Sequence, residues 1–138
     1  MHHFLVWSRT FPLLGGLILF VIGCGEPQKE LAEEMNDIQS RVARILREVD
    51  SVEDAIDAGP AIENLAARWN LLAVAANDME VPSEVEKNSL ESEVGKLVGL
   101  FQAVKDERDR LRGHEDQEIW AILEAPLKKY DAAMTGPD

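Results

Sequence analysis

Side chains able to do covalent or metal chemistry are scarce in this chain. It has one cysteine, Cys24, and three histidines, His2, His3 and His114, against 26 Asp and Glu and a formal net charge of -12. A lone thiol forms no disulfide within its own chain, and in an exported protein it calls for modification or intermolecular pairing. As a thiolate it is a competent nucleophile for alkylation, and the thioether formed is stable. Metal sites inside helical bundles need inward carboxylates with histidines at helical spacing, such as Glu-x-x-His pairs. None occurs here, and His114 sits at an expected turn between helices. Covalent haem attachment, zinc fingers, serine triads and phosphate-binding glycine loops all lack their residues. Carboxylate pairs are abundant but fall on polar helix faces, where solvation is their ordinary state. No catalytic residue, metal or cofactor is therefore expected, and the chain is read as non-enzymatic. The acidic balance also opposes nucleic-acid binding, because no basic stripe survives among the carboxylates.

Four helices are expected to position these groups. Leu31, Met35, Ile38, Val42, Ile45, Val49, Val52 and Ile56 recur at spacings of four and three and mark one stripe of a long first helix. Gly59 and Pro60 suit the end of that helix and the start of a second. The second buries Ile62, Leu65, Trp69, Leu72, Ala76 and Met79. After Pro82, the run Ser83-Glu84-Val85-Glu86 has the form of a capping box opening a third helix. That helix carries Leu90, Val94, Leu97, Phe101, Val104 and Leu111 and closes at Gly113, with Asp106 and Arg110 spaced to pair. A fourth, from about Glu115 to Met134, carries Ile119, Ile122, Leu123, Leu127 and Tyr130, with a kink or break expected near Ala125 because Pro126 removes a helical hydrogen bond. Such stripes bury only against one another. The fold class predicted is all-α, an antiparallel up-down-up-down four-helix bundle. Trp120 lies beside its stripe, half exposed, and is the candidate contact residue for a partner.

The first 23 residues have a different character. Arg9 precedes an apolar stretch from Phe11 to Ile22, interrupted by Pro12, Gly15 and Gly16, and small residues lead into Cys24. This is the layout of a signal peptide and falls short of the twenty or so apolar residues of a spanning helix. The division expected is a signal peptide over 1-23, a tether over 24-29, the bundle over 30-134 and a disordered tail over 135-138. The tether carries Gly, Pro and polar residues.

Val21-Ile22-Gly23-Cys24 resembles the lipobox of bacterial lipoproteins. The resemblance implies a diacylglyceryl group on the Cys24 thiol, cleavage between Gly23 and Cys24, and further acylation of the new amino group. Two or three chains give stable anchoring, whereas one holds a bilayer only marginally. The partners implied are the lipid bilayer and an unknown envelope protein, with the domain facing the periplasm. Gly25, standing where enteric bacteria read Asp as an inner-membrane retention signal, implies the outer membrane. Ordinary signal cleavage leaving Cys24 as a structural thiol, and an uncleaved anchor, are the competing readings of the same residues.

With Met35 early in the first helix and Leu127 to Tyr130 late in the fourth, the exported part is similar to the cytochrome b562 type of periplasmic bundle. That family ligates haem with a Met in the first helix and a His after a Tyr in the last. Met35 and Tyr130 match, while Asp131 stands at the position of the histidine. The alternative function implied is a cofactor-carrying bundle in electron transfer or sensing, with haem as the group carried.

Overall fold

The computed structural model describes residues 27–79 and 84–136. The expected signal peptide, the cleavage site, Cys24 and the capping residue Ser83 lie outside them. Four helices form: α1, Pro27–Glu48; α2, Val52–Asn77; α3, Glu84–Arg112; and α4, Gln117–Thr135. Helix α1 thus covers residues 27–29 of the stretch expected as a tether.

The first helix boundary is not at Gly59-Pro60. It falls at Asp50-Ser51, where a reciprocal cap outweighs the glycine and proline signals. Ser51 is extended (φ -144, ψ 164), and its hydroxyl accepts from the Asp54 backbone N–H at 3.1 Å. The Asp54 carboxylate in turn accepts from the Asp50 N–H at 3.1 Å. Two orphan amides are satisfied together, which is the logic of a capping box. Gly59 and Pro60 therefore lie inside α2. Pro60 is exposed, and the carbonyl that loses its helical donor to it belongs to Ile56, itself 56% exposed. Ser51→Ala is expected to lower stability by about 1 kcal/mol. Urea denaturation checks this, and an unchanged midpoint would mean that the cap does not hold the boundary.

Successive helices alternate in direction. Glu34 on α1 pairs with Arg68 on α2, and Arg108 on α3 with Asp131 on α4. The closest backbone approaches, however, are α1 with α3 and α2 with α4. These pairs run the same way: Asn36 meets Glu93 while the Leu46 carbonyl meets Arg110, and Gly59 meets Pro126 while Glu63 meets Lys129. Consecutive α2 and α3 are diagonal, joined by side chains such as Trp69, set edge to face against Phe101 with ring centroids 6.0 Å apart.

The core follows the expected stripes for most of α1, α2 and α4, with Ile38, Val42, Ile62, Ile119 and Leu123 fully enclosed, but Ile56, expected on the first stripe, lies in α2 beyond the turn and faces outward. The α3 stripe is covered only in its second half, at Val104 and Leu111. α4 has 19 residues against 29 in α3, so α3 outruns it by about 15 Å. No break occurs near Ala125, and α4 continues through Pro126, whose buried ring lies over Gly59. Arg110 does not pair with Asp106. It bonds Glu107 at 3.0 Å and donates to the carbonyls of Leu46 (2.9 Å), Arg47 (3.3 Å) and Val49 (3.2 Å). A guanidinium thus serves the orphan carbonyls and the negative dipole end of α1.

Candidate functional site

Helix α1 packs against both α2 and α3, and so buries a wider face than one stripe. Its second stripe, Asn36, Gln39, Ala43 and Leu46, brings polar groups inside. Gln39 is fully buried, accepts from the Tyr130 hydroxyl, and donates to the Met134 sulfur at 3.1 Å. Burial pushes the Tyr130 hydroxyl up to about 12, since ionising it would place an anion in the core.

A second polar contact joins α1 to α3. The Asn36 amide donates to the Glu93 carboxylate at 2.8 Å and to the Glu93 carbonyl at 3.1 Å, and both side chains are buried. Lys96 completes the carboxylate at 3.1 Å. The Lys96 hydrogen bond, helped by Asn36 and opposed by burial, holds Glu93 below the usual carboxylate range. These residues, with Glu33, Asp37 and Ser40, line an open groove of about 570 Å³ between α1 and α3. Glu93 is thus engaged by two donors, one on each carboxylate oxygen. None of Asn36, Gln39 and Glu93 was expected inside, although the 36, 39, 43, 46 spacing was available as a signal.

Trp120 is half-buried against the core, with the Arg112 guanidinium 4.7 Å above its ring. Trp69 and Tyr130 are core residues, and Met35 and Phe101 pack partly buried against the core. His114 lies in the α3–α4 loop. Its Nδ1 accepts from the Asp116 N–H at 3.0 Å, which leaves Nε2 carrying the proton and donating to Asp50 at 3.1 Å. The two loops at that end of the bundle are thereby joined.

The residues that carry the haem resemblance do not assemble a ligand pair. Asp131 is held by Arg108 through two bonds of 2.6 and 3.0 Å, and Tyr130 is turned inward to Gln39. A carboxylate so engaged is a poor substitute for a neutral imidazole on iron. Among the described residues no group of three or more His, Cys, Asp or Glu is placed to hold a metal. No described helix is long and apolar enough to cross a membrane. Comparison with family models, curated proteins and solved structures returns no match. The likeness to known bundles therefore stays at the level of four helices.

Proposed function

We propose that this chain is an envelope lipoprotein, anchored by acyl chains on Cys24, whose helical bundle serves a non-catalytic binding or structural role. The observation that carries the proposal is Val21-Ile22-Gly23-Cys24 at the end of a short, interrupted apolar segment. The chain is already helical at Pro27, three residues after the cysteine, which accords with a short link to the anchor. With lipid on Cys24, that spacing holds the domain within about 10 Å of the headgroups. Gly25 after the cysteine favours the outer membrane, with the domain facing the periplasm. A non-catalytic role accords with a groove whose one buried carboxylate is already bonded, and with a half-buried Trp120 as a contact for an envelope partner.

Intact-mass measurement on protein extracted from the membranes of a bacterial host tests the anchor. A chain beginning at Cys24 and carrying two or three acyl chains is expected, and Cys24→Ser is expected to yield neither the cleavage nor the added mass. A polypeptide beginning at Met1 with a free thiol would falsify the proposal.

A further inference from the structure

Beyond the end of α4, the outer face of α3 has no helix against it. Val94 and Val98 stand 53% and 63% exposed there. Beside them Gly95 and Gly99 have open space where a side chain would be. Two glycines and two exposed valines inside a helix work against its stability in isolation, so the face gains by being covered.

The charges on either side of Val98 indicate what fits it. Val98 is the midpoint of α3. Seven residues before it on the same face is Glu91, and seven after is Lys105. Eleven before is Lys87, and eleven after is Asp109. Fourteen before is Glu84, and fourteen after is Arg112. All six side chains are exposed, Lys105, Asp109 and Arg112 along the rim of the groove that α3 forms with α4. Each pair is opposite in sign, so the helix is electrostatically complementary to its own reverse.

We infer that α3 is a self-association surface, and that its occupant is α3 of a second copy running antiparallel about a two-fold axis at Val98. The axis sets Val98 against Val98, and Glu91, Lys87 and Glu84 opposite Lys105, Asp109 and Arg112 of the other copy. Two-fold symmetry makes every such pair twice. Gly95, which has open space about it, leaves room at one side of the axis for the second backbone. In the single chain all of these charges but Glu91 already have partners, Glu84 with Lys87 at 3.5 Å, Lys105 with Asp109 at 2.8 Å and Arg112 with Asp109 at 3.2 Å, and Arg112 also lies over the Trp120 ring. Pairing across the axis exchanges these exposed bonds for others in a more enclosed setting, while the apolar centre supplies the gain.

Sedimentation velocity of the full chain in mild detergent over a concentration series tests the inference. A dimer is expected, with Glu91→Lys and Lys105→Glu each weakening it roughly tenfold or more, because each reversal installs two like-charge contacts. The double variant, which swaps the signs, is expected to return to within about threefold of the unmodified chain. Four exposed groups change hands without touching the core, so the rescue separates pairing from misfolding. A monomer at every concentration overturns the inference. So does a dimer indifferent to both single reversals, and so does a monomer whose Val98→Glu variant loses binding to phosphatidylcholine vesicles, which would assign the face to lipid.

Discussion

Gly59→Ala is expected to destabilise the protein, although alanine is the better helix former by about 1 kcal/mol. A methyl group at residue 59 would sit 3.2 Å from Cγ of Pro126. A proline ring is fixed to its backbone at both ends and can yield only by changing its pucker, so most of the few tenths of an ångström needed must come from α4 itself. The α2–α4 approach is one of the two closest in the bundle, and little slack exists to absorb the shift. Gly59→Leu is expected to cost about 3 kcal/mol or more, in the range of overpacked cores. The diagnostic result is a change of sign. With Pro126→Ala in place the obstacle is gone, and Gly59→Ala then adds about 1 kcal/mol of stability. Urea midpoints of the four chains decide the matter. If Gly59→Ala stabilises the chain with Pro126 still present, the close approach is not what fixes glycine at this position.

The bond between Tyr130 and Gln39 is expected to show a comparable coupling. Tyr130→Phe leaves the buried Gln39 oxygen without its donor, and Gln39→Leu strands the hydroxyl. Each is expected to cost about 1–3 kcal/mol, whereas the double replacement recovers most of the loss because no orphan remains. Additive losses in that cycle would show that the two groups do not depend on each other. The same pair predicts an alkaline limit. The native hydroxyl is pushed up to about 12 from an ordinary 10.0, so the unfolded chain releases its proton first as pH rises. The stabilising difference is complete below pH 10 and is lost as pH climbs through about 12. Two units correspond to about 3 kcal/mol at most. Tyr130 is the chain's single tyrosine, so ultraviolet absorbance of tyrosinate reports it without interference. A native-state midpoint near 10 would refute the enclosed hydroxyl.

Much of the fold was legible because apolar periodicity reports burial directly. The stripes of Ile38 and Val42, of Ile62 and Trp69, and of Ile119 and Leu123 all face the core. Gly113 follows the end of α3 as expected. The first turn was misplaced because Gly59-Pro60 resembles a helix boundary more strongly than Ser51-Val52-Glu53-Asp54, and local pattern does not reveal that a glycine is needed where another helix comes close. Polar residues were misjudged for a related reason. Asn36 and Gln39 are buried because α1 has two neighbours, a tertiary fact invisible to a single stripe. Arg110 was assigned a partner on its own helix, since nothing in spacing alone shows the end of α1 beside it. The parallel closeness of α1 with α3 and α2 with α4 likewise follows from how two hairpins stack. At Trp120 and Tyr130 the stripes gave each position's exposure, but not the Arg112 and Gln39 that engage them.

The N-terminus of α1 lies alongside the N-terminal half of α3. In a reversed pair of α3 helices the first turns of the two α1 helices accordingly stand at opposite poles. Were both chains anchored by lipid on Cys24 as proposed, a single bilayer would hold the two ends only with the rods reclining along its surface, whereas an upright pair would span the gap between two facing sheets of lipid.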